Sequence, residues 1–324
     1  MKTLESQPPT KRKQKKQPSK WVKVKKRLLG TNSDRGLIMK VIFYALLISV
    51  GFVFLYPVIY MISYSFKDLS DLLNSSVNWI PTHFYTENIT RAYEVLDYIP
   101  TLLETIFVAV VPSVLQMMVA AVVGYGFARY DFKGKRILLV LVISTFVIPP
   151  QITVIPRYIL FNNLGLLGSI AAYAIPAGLG QGINSAIFIL IFYQTYRAIP
   201  VSLIEAARLD GAGEFKIFTK IGIPMGLSAF IISFLFSLVW YWNETYLASI
   251  YFGGTLSTLP LELQRFVAAY NNMFPGSGGD GIAGVNEAIE LAATLLSIIP
   301  LLIIYFISQK WFVESIDRSG ITGE

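Results

Sequence analysis

Six stretches without a charged side chain constrain the fold of this chain more than any other feature. Most are close to the roughly 20 apolar residues that cross a bilayer core. One run is too long for a single ordinary helix, and we divide it at Asn162-Asn163-Leu164-Gly165 into the end of a third span and a fourth span. The pattern predicts an all-α membrane protein with six transmembrane helices, from the runs Val41–Phe66, Thr105–Ala128, Ile137–Pro156, Tyr158–Tyr196, Ile221–Asn243 and Leu291–Gln309.

The composition leaves little room for catalysis. Charged residues make up 15% of the chain, against about 25% in soluble domains. There is no cysteine, which excludes disulfides, thiolate metal sites and thiol catalysis. The one histidine, His83, has no potential metal-ligand cluster around it, and no nucleophile and base have catalytic spacing. We therefore predict no catalytic residue, no metal site and no enzymatic activity.

Basic residues fall mainly on one side of the predicted membrane. Thirteen of the 27 Lys and Arg residues precede Val41, and ten more lie after the second, fourth and sixth spans. Four occupy the opposite side: Lys67, Arg91, Arg157 and Arg265. Because Lys and Arg collect on the cytoplasmic side, both termini are predicted to be cytoplasmic. A basic tail beside anionic membrane lipid is favoured over one that binds nucleic acid.

The chain divides into four segments. Residues 1–36 form a basic cytoplasmic tail, and residues 37–100 form a first helix with an external segment. Residues 101–310 form a membrane core, and residues 311–324 form a second cytoplasmic tail. The first tail is rich in Lys, Gln and Pro, and we expect most of it to be disordered. A short helix is expected within Glu87–Leu96. The core has a cytoplasmic loop at 200–224 and an external loop at 251–287, and its third and fourth spans are expected to be kinked at Pro149, Pro150, Pro156 and Pro176.

The cytoplasmic loop carries a pattern with an ordinary structural explanation. Ser202 and Glu205 have the spacing of a capping box, and the two alanines that follow favour a helix. Gly211 is then a helix terminator. A helix from about Leu203 to Asp210 and a second one from about Glu214 toward Pro224 are expected on these grounds.

The same residues resemble the EAA loop of the permease subunits of bacterial ABC importers. Glu205-Ala206-Ala207, Asp210-Gly211-Ala212, Ile221 and Pro224 all fall in the register of that loop. The resemblance implies the type-1 ABC importer permease fold and a segment that docks on an ATPase. The implied coupling residues are Glu205, Ala206, Ala207, Arg208, Asp210, Gly211 and Pro224.

Other segments resemble the permeases of carbohydrate importers, in particular the G-type permease of the maltose system. These are 125–135, Ile148-Pro149-Pro150 with Leu164-Gly165-Leu166, and Trp242-Asn243-Glu244. The resemblance implies a bacterial inner-membrane location and four kinds of contact: a second, different permease, two ATPase subunits, an external sugar-binding protein and membrane lipid. It implies that ATP and Mg²⁺ are held by the ATPase. No phosphate-loop pattern G-x-x-x-x-G-K-[ST] occurs in this chain, so no cofactor is expected on it.

Two regions are candidates for handling a sugar. Aromatic faces stack on sugar rings and polar groups bond hydroxyls, which makes Trp240, Trp242, Asn243 and Glu244 candidate pathway residues. An interfacial aromatic belt combined with helix packing is the alternative. The resemblance also implies that the external loop contacts the binding protein, with Asn271, Asn272, Phe274 and Gly276 as candidates. Their Gly-rich surroundings predict irregular structure, and an ordinary solvent loop is the alternative.

A transporter or channel that acts without an ATPase is the alternative from another class. It requires ion-coupling groups within the membrane, where ionisable side chains are costly and usually functional. The interiors of the predicted spans carry no charge, which argues against ion coupling. Dependence on an ATPase subunit separates the two hypotheses.

Overall fold

The computed structural model describes residues 21, 28, 30–31, 34–275 and 285–318. The chain forms two compact units, Met1–Tyr60 and Met61–Glu324. The helices are α1 Leu37–Ser65, α2 Leu69–Leu73, α3 Glu87–Val95, α4 Tyr98–Arg129, α5 Lys135–Val147, α6 Pro150–Asn163, α7 Ala171–Gly178, α8 Ser185–Ala198, α9 Val201–Leu209, α10 Glu214–Ile217, α11 Ile223–Met225, α12 Leu227–Asn243, α13 Tyr246–Phe252, α14 Leu259–Met273 and α15 Glu287–Arg318. A π-helical turn, Phe218–Gly222, joins α10 to α11, and two-residue strands β1 Gly30–Thr31 and β2 Asp34–Arg35 pair antiparallel in the basic tail.

The helical segments match the predicted number of spans but not their continuity. Among the described residues, α1, α4 and α15 are each long and apolar enough to cross a membrane. Three further candidates are bent pairs: α5 with α6 at 98°, α8 with α9 at 72°, and Glu214–Met225 with α12 at 74°. Counting each pair once gives up to six spans, which confirms the all-α fold class. In the second pair the span itself is α8, preceded by α7 across an irregular segment, and α9 lies beyond the 72° bend. The first bend falls where Pro149 caps α6 and Pro150 is its first residue.

Helix α4 lies at the centre of the second unit, where it packs against α7, α8 and α12. Small buried residues, among them Ala109, Ala120 and Ala121, line its contacts. At Gly124 the backbones come very close, since an added Cβ would stand 2.6 Å from the Cβ of Phe192 and 2.9 Å from the amide nitrogen of Tyr193. Because lipid is as apolar as a leucine side chain, such close packing is what holds membrane helices together.

The fourth span is interrupted between α7 and α8. Its backbone is irregular from Leu179 to Asn184 and is held by side chains from two other spans. Gln116 Nε2 donates to the Ile183 carbonyl oxygen at 2.7 Å, and the Ile183 amide donates to the Tyr241 hydroxyl at 3.2 Å. That hydroxyl donates to Gln116 Oε1 at 2.9 Å. Irregular backbone at membrane depth requires such partners, because lipid supplies none.

The external segment is held together by Lys67, which sequence analysis placed on the external side without a structural role. Lys67 is 1% exposed, and its Nζ donates to the carbonyl oxygens of Val77 and Asn78 at 2.9 and 2.8 Å. The Asn88 side chain, 3% exposed, donates to the carbonyls of Ser65 and Lys67. These bonds fix α3, which confirms the short helix predicted within Glu87–Leu96.

One structural expectation for the external loop is wrong in part. The tip was expected to be irregular from Asn271, but α14 continues through Met273. Apolar side chains at helical spacing, such as Phe266 and Tyr270, are buried and carry the helix that far. The rest of the tip, from Gly276, lies outside the described residues, as does most of the tail expected to be disordered.

We predict that Gly182→Ala destabilises the protein. A Cβ at this position would stand 2.2 Å from Gln116 Oε1 and 2.5 Å from the Tyr241 hydroxyl oxygen, so the bonds that hold the interrupted span must shift. Such overpacking costs about 1–3 kcal/mol. The measurement is the apparent unfolding temperature in detergent. Gly178→Ala is the matched control, since a Cβ there meets nothing within 4 Å, and equal stability of the two variants would contradict the prediction.

Candidate functional site

Helix α9 begins earlier than the capping box predicts. Its first residue is Val201, directly after Pro200, and no side chain caps its N-terminus. Ser202 therefore lies inside the first turn, and the predicted capping box with Glu205 is wrong. The fixed φ of Pro200, −57°, places the start of the helix at the next residue.

The end of α9 confirms the predicted role of Gly211. This residue has a φ of +77°, a left-handed conformation that side chains disfavour. The Ala212 amide donates to the Ala207 carbonyl oxygen at 2.9 Å, and the Gly211 amide donates to that of Arg208 at 3.0 Å. This pair of bonds is the Schellman motif, which satisfies the last carbonyls of a helix and turns the chain.

The path from Gly211 to the fifth span is segmented. Helix α10 begins at Glu214, as predicted, and the π-helical turn and α11 follow before the 74° bend into α12. Pro224 is the second residue of α11. At the bend, Gly226 lies against the Tyr196 ring, and an added Cβ would be 3.1 Å from it. The connection is a short jointed segment rather than one straight helix.

A polar bridge ties α9 to its neighbours. Arg208 Nε donates to Glu214 Oε1 at 2.8 Å, and the Tyr130 hydroxyl donates to Glu214 Oε2 at 2.8 Å. These bonds hold the pKa of Glu214 below its ordinary value, with the Arg208 bond the largest cause. Burial, followed by the bond to Glu214, raises the pKa of Tyr130 to about 12. The carboxylate is thus shared between α9 and the loop after α4, a contact that sequence reasoning missed because Tyr130 and Glu214 are far apart in the chain.

Most of α9 faces away from the rest of its own chain. Ile204 is 3% exposed and anchors the helix, whereas Glu205, Ala206 and Arg208 are exposed. Leu209 and, beyond the turn, Phe215 are 90% and 80% exposed. Within the described part of the chain, the Glu205 carboxylate makes no hydrogen bond or ion pair. Exposed apolar side chains beside an uncommitted carboxylate are suited to contact with another protein.

A cavity of about 480 Å³ lies where the third and fourth spans are interrupted. It reaches the bend between α5 and α6, the irregular segment before α8, and the turn after α12. Its polar lining includes Gln151, Thr153, Arg157, Gln181, Asn184 and Glu244. Its volume falls within the roughly 300–1,000 Å³ of small-molecule sites, and interrupted helices are where transporters place such sites.

The structure separates the four candidate pathway residues. Trp242 is 2% exposed and belongs to the core, and Trp240 packs on Phe188 with ring centroids 5.2 Å apart. The exposed Asn243 side chain donates to the Val239 carbonyl oxygen of its own helix at 2.8 Å. Of the four, Glu244 alone lines the cavity, and its Oε1 accepts from the Leu247 amide at 2.8 Å.

Sequence analysis assigned Arg157 to the external side of the membrane and did not single out Gln181 or Asn184, whereas all three line the cavity and Arg157 lies on α6. A signal was present, since Gly178-Leu179-Gly180-Gln181-Gly182 interrupts an apolar run with glycines and an amide. Such a break in a transmembrane segment points to a binding region.

The four candidates for binding-protein contact also differ in position. Asn271 and Asn272 are exposed at the end of α14. Phe274 is half-buried, with its ring 4.9 Å from that of Tyr270 and 5.7 Å from the Arg91 guanidinium carbon. Arg91 in turn donates to the Tyr270 hydroxyl at 3.0 Å, a bond that raises the pKa of the guanidinium. Gly276 lies outside the described residues. No trio of His, Asp and Glu side chains in the described part of the chain is arranged to hold a metal ion.

Three permease proteins of bacterial transport systems are similar in sequence to this chain along most of its length. The osmoprotective compounds uptake permease protein GgtD of Synechocystis sp. is 28% identical over 304 residues, which cover 92% of this chain and 97% of GgtD. The polygalacturonan/rhamnogalacturonan transport system permease protein YtcP of Bacillus subtilis is 27% identical over 293 residues, 89% of this chain and 100% of YtcP. The arabinooligosaccharides transport system permease protein AraQ of Halalkalibacterium halodurans is 27% identical over 286 residues, 86% and 96% of the two chains.

A solved structure shares the fold. It is the crystal structure of a bacterial ABC transporter involved in the import of the acidic polysaccharide alginate. One chain of that structure matches this chain with a TM-score of 0.70 and 23% sequence identity. The match covers 87% of this chain and 98% of that chain. The profile of the family described as "Binding-protein-dependent transport system inner membrane component" matches residues 116–318. This chain belongs to that family, and it is therefore an inner-membrane permease subunit that works with a separate ATPase and a substrate-binding protein.

Proposed function

We propose that this permease carries a sugar or oligosaccharide and that α9 is the element through which the ATPase moves it. The names of YtcP and AraQ, which concern polysaccharide and oligosaccharide transport, support the substrate class. An ATPase-independent, ion-coupled transporter is not favoured, because the family is binding-protein-dependent.

The exposed face of α9 is the observation that carries the coupling role. A helix held by the buried Ile204 and by the Glu214 bridge leaves Glu205, Ala206 and the 90% exposed Leu209 for a partner. A push on that face passes through Gly211 and the segment containing Pro224 to α12. Asp210 is the C-cap of α9, where it joins the helix to the turn.

The remaining partners follow from the same proposal. ATP and Mg²⁺ bind to the two ATPase subunits, and this chain holds no cofactor. A second, different permease faces the cavity from the side of α5 and α6, whose Ile137, Val147, Ile152 and Ile155 are 68–71% exposed. Asn271 and Asn272 meet the sugar-binding protein, and Glu244 lines the route of the sugar.

We predict that Glu205→Lys leaves the chain in the membrane but uncouples ATP hydrolysis from uptake. Reversing the charge places a lysine against the ATPase surface that accepts Glu205, and uptake should fall at least about tenfold. Uptake and ATPase activity of the reconstituted complex are the measurements. Asp131→Lys, the same reversal at an exposed carboxylate that pairs only with Lys135 in the described residues, is the control. Normal coupling in Glu205→Lys would rule out this role.

We predict that Gly211→Ser impairs coupling whereas Gly213→Ser does not. A Cβ meets nothing within 4 Å at either glycine, but only Gly211 has a positive φ, of +77°. Serine there costs about 1–2 kcal/mol of backbone strain, and at Gly213 it occupies a favourable N-cap position. Transport per ATP hydrolysed is the measurement, and equal values for the two variants would show that the turn geometry is unimportant.

Glu214→Ala should loosen α9 without unfolding the protein, because it removes the acceptor of both the Arg208 and the Tyr130 bonds. Hydrogen exchange of the amides from Arg208 to Gly213 should become faster in the isolated permease. Lys216→Ala, at an exposed position on the same helix, is the control and should leave exchange unchanged. Unaltered exchange in Glu214→Ala would mean that the bridge does not hold the helix.

The double variant Asn271→Ala/Asn272→Ala should weaken the stimulation of ATPase activity by the binding protein while basal activity stays the same. Both side chains are exposed, so their loss does not disturb the core. Val267→Ala, one turn earlier and 46% exposed, is the control. Full stimulation of the double variant would remove these residues from the contact.

A further inference from the structure

The charged residues that line the cavity are Arg157 and Glu244, and they differ in whether their side chains have hydrogen-bond partners in the described part of the chain. Glu244 has a structural task, since its Oε1 accepts from the Leu247 amide at 2.8 Å and holds the start of α13. Arg157 has no such task. No ion-pair or hydrogen-bond partner of its guanidinium occurs in the described part of the chain. The Arg157 guanidinium is thus the charged group of the cavity that is available to bind a ligand.

The position of Arg157 makes this lack of a partner notable. The residue is half-buried on α6, seven positions beyond Pro150 and within a bent helical pair that makes up one span. Charged groups inside membrane proteins are costly and normally pair or face a polar pathway. Arginine also presents a planar fork of donors that fits a carboxylate through two parallel bonds. An anionic group that enters the cavity would satisfy it.

The rest of the lining fits the hydroxyl-rich body of a sugar. Gln151 and Thr153 lie on the same helix as Arg157, and Gln181 and Asn184 lie on the facing irregular segment. That segment is fixed in place by the bonds of Gln116 and Tyr241 to Ile183. The amides and the guanidinium are therefore displayed from a preorganised frame, which lowers the cost of binding.

We propose that the cavity is a subsite for acidic oligosaccharides, in which Arg157 binds the carboxylate of a uronic acid residue while the amides of Gln181 and Asn184 bind its hydroxyls. The inference rests on the proposed import of sugars and narrows it to a substrate class. Arg157 is a specificity-determining residue in this assignment: it favours a uronate over the neutral sugar of the same shape.

The test uses the complete importer, with its partner permease, ATPase and binding protein, reconstituted in vesicles. The probes are digalacturonate and galactobiose, which differ by the carboxylates. Wild type should import digalacturonate, and Arg157→Gln should lower that uptake at least about tenfold while any galactobiose uptake is unchanged. Arg157→Lys should retain an intermediate rate, because it keeps the charge but loses the fork. Arg265→Gln, at an external arginine outside the cavity lining, should behave as wild type.

The outcomes separate this inference from the proposed function. Wild-type import of galactobiose without digalacturonate would overturn the acidic subsite and leave sugar import standing. An equal loss of both substrates in Arg157→Gln, with the same unfolding temperature as wild type, would show that the arginine serves a protein or lipid partner. Absence of ATP-driven uptake for neutral and acidic sugars alike, with an active ATPase, would contradict the proposed function itself.

Discussion

Backbone hydrogen bonding within the bilayer is the constraint on which the rest of this structure depends. Three candidate spans meet it as continuous helices, whereas the fourth is open from Leu179 to Asn184. There the Gln116 amide and the Tyr241 hydroxyl replace the missing helical partners of Ile183. The two side chains come from different spans, so this small network also locks α4 and α12 to the interrupted fourth span. Gly182 leaves the space in which they meet.

The cavity is a consequence of that interruption. A continuous fourth span beside a straight third span would leave no recess, whereas the 98° bend after α5 and the opening before α8 face each other across it. The same features place Arg157 and two amide side chains around one volume. Structural irregularity and polar chemistry thus occur together, as they do where transporters bind their substrates.

The cytoplasmic segment from α9 to α11 has two requirements: its own chain must hold it in place, and its outer face must stay exposed for another protein. One buried side chain, Ile204, and one shared carboxylate, Glu214, hold it. The Schellman turn at Gly211 then directs the chain toward α12 through a jointed path. Exposed bridges of this kind contribute little to stability, so their value in this permease lies in the position they give to α9.

The sequence by itself determined the apolar spans, the side of the membrane that carries the basic residues, the family register of Glu205 to Pro224, and the helix end at Gly211, because these depend on local composition and spacing. It placed the start of α9 at about Leu203 with Ser202 as the cap, whereas the helix begins at Val201, and it ended regular structure near Asn271, whereas α14 continues through Met273. Only the tertiary structure decided that Trp242 is buried while Glu244 and Arg157 share a cavity. Those outcomes depend on contacts such as Gln116 with Tyr241, which lie 125 residues apart, and no local pattern encodes which distant side chains will meet.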